Sequence, residues 1–168
     1  MRRGGMRLKT WVQGQMSEWR CLKGSPKDLR MHFELFLRKG YKIHVGCDSQ
    51  QYSDYTRIVS VICFRKGPNG VITYRKSKKE QPSPSVYLKL QREVLEAIKI
   101  AQFVASNGFE DITVHLDINP DDKYLSNKFY KEFVNMVTGC GYKCITKPDA
   151  FAASIADMFT RGENGKDT

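Results

Sequence analysis

This sequence has no uninterrupted apolar run of the ~18–20 residues that a membrane-spanning helix needs. Its start lacks the apolar core of a secretory signal peptide. Cysteine is scarce: five in all, irregularly spaced, an odd number that does not fit a secreted disulfide framework. Cys140 and Cys144 have CxxxC spacing, but no second pair or histidine tract joins them into a zinc motif. Cys21, Cys47 and Cys63 have no general base nearby in sequence, and Ser49 sits in no nucleophile-elbow pattern. Neither G-x-x-x-x-G-K-[ST] nor G-x-G-x-x-G is present, so a nucleotide cofactor has no support. Internal repeats are absent, as is low complexity outside the last eight residues. These absences leave a cytoplasmic protein with reduced thiols and no membrane association as the expectation.

What is present is charge, unevenly spread. Across 168 residues the net charge is +10, yet residues 1–42 hold 11 Lys and Arg against 3 Asp and Glu, and the remainder holds 17 against 15. A basic surplus of this kind favours a polyanionic partner, because Lys and Arg displace counterions from phosphate backbones. An apolar content of 40% is enough for one packed domain. The expected division is a basic arm or small hairpin at 1–24, a domain at 25–160 and a polar tail at 161–168.

Ser25-Pro26 has the form of a helix cap and first turn, with Leu29, Phe33, Phe36 and Leu37 at helical spacing and Gly40 as the stop. His32, beside that stripe, reads as a surface or packing histidine. From Tyr41 the period becomes two, Ile43, Val45 and Cys47 alternating with His44, Gly46 and Asp48. Thr56–Phe64 is a β-branched run, which a Gly67-Pro68-Asn69-Gly70 turn joins to Val71–Lys76. Ser83-Pro84-Ser85 caps a long helix from Val86 to about Ser106. Asp111–Asn119 is a fourth strand, Ser126–Val137 a helix, Tyr142–Thr146 a fifth strand and Pro148–Phe159 a final helix. This order predicts an α/β fold: a mixed five-stranded sheet of order 3-2-1-4-5 flanked by helices, with an extra N-terminal helix. Strands 1 and 4 are then parallel neighbours where the topology reverses, a place where such sheets bind ligands.

Acidic side chains gather at that place. Asp48 ends strand 1 and Asp117 ends strand 4, on strands ~4.8 Å apart. Glu93 borders the apolar stripe Val86, Leu90, Val94, Ala97, Ile98, Ala101 and Ala105, about two turns into its helix, whereas Glu96 falls further round, towards water. Acids crowded at a buried edge are costly unless a cation neutralises them. Hard oxygen donors of this kind suit Mg²⁺ or Mn²⁺. The last helix offers Asp149, which could equally cap it, and Asp157, which shares a face with Ala150, Ala153 and Ser154. Asp157 is the preferred fourth ligand. Arg75, Lys76, Lys78 and Lys79 follow the third strand at the same edge, where they could hold a phosphate backbone.

The order Asp48, Glu93, Asp117, Asp157 resembles the carboxylates of the RNase H-like superfamily of metal-dependent nucleases. More narrowly, Val45-Gly46-Cys47-Asp48-Ser49-Gln50, His115-Leu116-Asp117-Ile118-Asn119 and Lys147-Pro148-Asp149-Ala150-Phe151-Ala152-Ala153-Ser154 resemble its YkuK-like branch, over about residues 25–160. Arg92-Glu93-Val94 is similar to the glutamate-bearing helix of ribonuclease H, and Ala156-Asp157 to that enzyme's final Ala-Asp. Cys47 stands where the family more often has threonine.

The resemblance implies two divalent ions held by Asp48, Glu93, Asp117 and Asp157 or Asp149, clamping a scissile phosphate and leaving a 5′-phosphate and a 3′-hydroxyl. It implies nucleic-acid contacts from Ser49, Gln50, Arg75, Lys76, Lys78, Lys79 and Lys147. His115 would either assist with phosphate charge or proton transfer, or pack beneath a helix. The leading expectation is an endonuclease of ribonuclease H type acting on the RNA strand of RNA–DNA hybrids. Alternatives are a structure-selective DNA endonuclease resembling the RuvC-type resolvases, for which a homodimer would be expected, and a catalytically idle nucleic-acid-binding module.

Overall fold

A computed structural model describes residues 19–21, 28–68 and 70–162. Most of the expected arm, the Ser25-Pro26 cap, Asn69 and the tail from 163 onward lie outside the described residues. The strands are β1 (Arg20–Cys21), β2 (Lys42–Gln51), β3 (Thr56–Arg65), β4 (Val71–Glu80), β5 (Ile112–Leu116) and β6 (Lys143–Thr146). The helices are α1 (Asp28–Arg38), α2 (Val86–Ser106), α3 (Tyr130–Gly139) and α4 (Phe151–Gly162), with a short 3-10 turn, Leu125–Phe129, leading into α3.

Among the described residues all six strands form one mixed sheet in the order β1-β4-β3-β2-β5-β6. Its last five members reproduce the expected 3-2-1-4-5 arrangement. The β2–β3 and β3–β4 pairs are antiparallel; β2–β5 and β5–β6 are parallel. The addition is β1, which pairs with β4 through Arg20↔Arg75 and Cys21↔Tyr74, beside the buried Trp19.

Period-two alternation sends Ile43, Val45 and Cys47 of β2, with Ile58, Ile62 and Phe64 of β3, to the face covered by α1, α2 and α3. Val59, Val61 and Cys63 point the other way, against Ala152 and Ala156 of α4. That second layer is thin for a steric reason. A Cβ placed on Gly46 would lie 2.6 Å from the backbone of Ala152 and of Ala153, so only glycine lets α4 lie directly on β2. Ser85 caps α2, its hydroxyl accepting from the Leu88 N–H.

Near the candidate site, β2, β5, β4 and the last helix have boundaries that differ from the sequence reading. β2 continues to Gln51, so Asp48 lies inside a strand; β5 stops at Leu116, so Asp117 just follows one. β4 runs to Glu80, because the ten-residue β3 pairs along its whole length, from Thr56↔Glu80 to Arg65↔Val71. Lys78 and Lys79 therefore belong to the strand that holds Arg75 and Lys76 instead of following it. The last helix begins at Phe151, after Pro148 and Asp149 have formed a turn, and continues to Gly162, taking in the first residues assigned to the tail. No helix among the described residues is long and apolar enough to cross a membrane.

Candidate active site

The parallel β2–β5 register pairs Gly46 with His115, and Asp48 and Asp117 each lie two residues further along the same sheet edge. By parity Asp48 shares the α4 face with Gly46, while Ser49 shares the α2 face with Cys47. Asp48 is buried, and its Oδ2 accepts a 2.6 Å hydrogen bond from Thr160 Oγ1 on α4. On the opposite face Glu93 of α2, also buried, accepts at Oε1 from Ser49 Oγ at 2.5 Å and from Lys89 Nζ at 2.8 Å. Lys147 Nζ lies 2.6 Å from Asp117 Oδ1, and Arg161 Nε lies 2.7 Å from Asp157 Oδ1.

These groups sense one another. Burial raises the Asp48 carboxyl above its ordinary range, and the charges of Asp157 and Asp117 add to the rise against the Thr160 hydrogen bond and Lys89. Burial pushes Glu93 up to about 7, with Lys89 opposing and Asp48 reinforcing. The Lys89 ammonium is held above its usual value by Glu93, Asp48 and Asp117, which outweigh its own desolvation. Four acids from four separated segments thus share one electrostatic environment. Asp149 is exposed, in the turn before α4.

In each of the four carboxylates one oxygen is engaged. The second (Asp48 Oδ1, Glu93 Oε2, Asp117 Oδ2, Asp157 Oδ2) accepts no hydrogen bond from the described residues. Among those residues no three His, Cys, Asp or Glu side chains converge closely enough to ligate one ion. By donor chemistry the set fits Mg²⁺ or Mn²⁺: it is all oxygen, with no sulfur or imidazole among the four acids.

His115 is wholly buried beneath α4. Its Nδ1 accepts from the Ala152 N–H at 3.4 Å, satisfying a donor in the first turn of that helix, and its Nε2 lies 2.9 Å from His44 Nδ1. Burial depresses both imidazoles, His44 to about 4 and His115 to about 3, so each is neutral at pH 7. Of its two expected roles, the packing one matches this position. His32 likewise packs, against Tyr74.

The basic residues of β4 divide by parity. Arg75 stacks on Phe159 of α4, 4.6 Å from the ring centroid, and Lys79 lies 4.5 Å over Tyr55. Lys78 and Lys76 turn to the other face, 2.7 and 3.6 Å from Glu96. Glu96 is therefore buried, where the helical wheel places it towards water; Lys76, and Lys78 from the extension of β4, make burial tolerable. Gln50 is exposed on β2 opposite Arg57, and Lys147 is half-exposed. Lys89 and Thr160 were missed from the sequence. Helical spacing could have found both: Lys89 is four residues before Glu93, and Thr160 three after Asp157.

The sequence model of the family described as ribonuclease H-like matches residues 28–161. The chain belongs to that family. Within the ribonuclease H-like family it is similar to the Bacillus subtilis (strain 168) protein described as uncharacterized protein YkuK, with 27% identity over 142 residues, 74% of this chain and 81% of that one. Among solved structures it is similar to RNase H1 from the halophilic archaeon Halobacterium salinarum NRC-1, at a TM-score of 0.40 and 14% identity, covering 66% of this chain and 89% of that one.

Proposed function

We propose that the chain is a divalent-metal-dependent nuclease that hydrolyses phosphodiester bonds of nucleic acid, an endonuclease of ribonuclease H type cutting the RNA strand of RNA–DNA hybrids. The observation that carries this reading is the coupling of Asp48, Glu93, Asp117 and Asp157 at one sheet edge, each with one oxygen uncommitted. These four would hold Mg²⁺ or Mn²⁺. The bound metal supplies an activated water and stabilises the leaving oxygen. Thr160 and Ser49 fix the orientation of Asp48 and Glu93 through their engaged oxygens, leaving the other oxygen of each without a hydrogen bond from the described residues. Lys147 is paired with Asp117 but half-exposed, so it can exchange that partner for a phosphate oxygen. Gln50 and the basic side chains of β4 extend the contact surface away from the acids.

One observation favours a second reading, a binding module without turnover: Glu93, Asp117 and Asp157 each carry a side-chain cation within 2.8 Å. The test is incubation with Mg²⁺ or Mn²⁺ and a labelled panel of RNA–DNA hybrid, single strands, DNA duplex and four-way junction. Metal-dependent cutting of the RNA strand of the hybrid is the expected result. Cutting confined to the junction would favour the resolvase-like alternative. Salt-sensitive binding with no cutting of any substrate would favour the idle module and contradict the proposal.

A further inference from the structure

Glu93 Oε1 takes two donors at once, the Ser49 hydroxyl at 2.5 Å and the Lys89 ammonium at 2.8 Å. A carboxylate oxygen has about two lone-pair sites, so this one is fully committed and Glu93 has only Oε2 for an incoming cation. Lys89 is also the most sheltered of the three cations at the site: its side chain is 30% exposed, against 43% for Lys147 and 74% for Arg161. Its position one helical turn before Glu93 holds the ammonium over that carboxylate, within electrostatic reach of Asp48 and Asp117. Charge balance points the same way. With all four carboxylates ionised, as metal ligation requires, they and Lys89, Lys147 and Arg161 leave one net negative charge, which one divalent ion together with a scissile phosphodiester brings to neutrality. A second divalent ion would leave positive charge unmatched in a partly buried site, which is costly.

We propose that Lys89 stands in for one of the two divalent cations expected at such a site, which therefore holds a single Mg²⁺ or Mn²⁺ with the Lys89 ammonium as the second positive group facing the phosphate. The proposal rests on the metal-dependent reading above. A lysine ammonium is a compact point charge that binds phosphate oxygens well, so the substitution is chemically reasonable.

The test counts Mn²⁺ bound to the full chain, using the electron paramagnetic resonance signal of free Mn²⁺ with calorimetry as a second count. One ion is expected on the wild type and on Lys89→Arg. Two are expected on Lys89→Met, whose affinity for the second ion rises by roughly a hundredfold once the ammonium's repulsion is gone. Circular dichroism verifies that Lys89→Met is folded; if it is not, Lys89→Gln makes the same comparison. Two ions of similar affinity on the wild type, or only one on the folded neutral variant, would overturn the Lys89 proposal and leave metal-dependent cleavage standing. No ion on the wild type, or the same count on Asp48→Asn, would overturn the metal-dependent reading and this inference with it.

Discussion

Glu93 shows how one side chain can work against the fold while standing in the proposed site. It is buried and held near 7, whereas an exposed glutamate ionises near 4.5. Between those values the folded chain retains a proton that the unfolded chain has released. Its contribution to stability is therefore greatest in acid, shrinks as pH rises from 4.5 to about 7, and stays low above that. Glu93→Gln keeps the shape and removes the titration. It should match the parent near pH 4 and exceed it at pH 8 by about 1–3 kcal/mol, read from thermal unfolding at both pH values. Parallel pH profiles for parent and variant would contradict this account of Glu93.

At the scale of elements, the decisive contact is α4 on β2. The first strand motif and the Ala-rich start of the last helix are two halves of one packing event, because Gly46 meets the Ala152–Ala153 backbone. That contact brings Asp157 and Thr160 to Asp48. Gly46→Ala should cost about 3 kcal/mol or more, since the added methyl meets backbone and not a flexible side chain. A urea midpoint unchanged from the parent would show that α4 can shift without penalty.

This part of the architecture was legible in the sequence because strand parity is a strict code. Ile43, Val45 and Cys47 against His44, Gly46 and Asp48 fixed the faces, and the helical crossover fixed the parallel β2–β5 pairing. What escaped was set by partners in space. The ten-residue β4 exists because β3 offers a full-length edge, and Glu96 is buried because that longer strand adds Lys78 beside Lys76. The start of α4 was misplaced because Pro148 and Asp149 are good first-turn residues and equally good turn residues. Lys89 was overlooked because a lysine on the polar side of a helix looks solvated until the acids across the edge are known.

For the whole molecule the controlling quantity is the uneven charge. Residues 1–18 contain Arg2, Arg3, Arg7 and Lys9 against Glu18 alone. A deletion ending there spares the buried Trp19 and β1. If those four cations engage backbone phosphates, the shortened chain should bind hybrid more weakly, with a salt dependence of log K shallower by up to about 3–4, while cleavage chemistry persists. An unchanged salt slope would show that the arm takes no part in binding. The central claim is narrower, that four acids remote in sequence make one working centre. Its most direct test is the Mn²⁺-dependent cleavage rate of labelled hybrid for Asp48→Asn, Glu93→Gln, Asp117→Asn and Asp157→Asn, with Asp149→Asn alongside. The account predicts a loss of at least about a hundredfold for each of the first four and a rate close to the parent's for Asp149→Asn. Asp48→Asn cutting at the parental rate would contradict it.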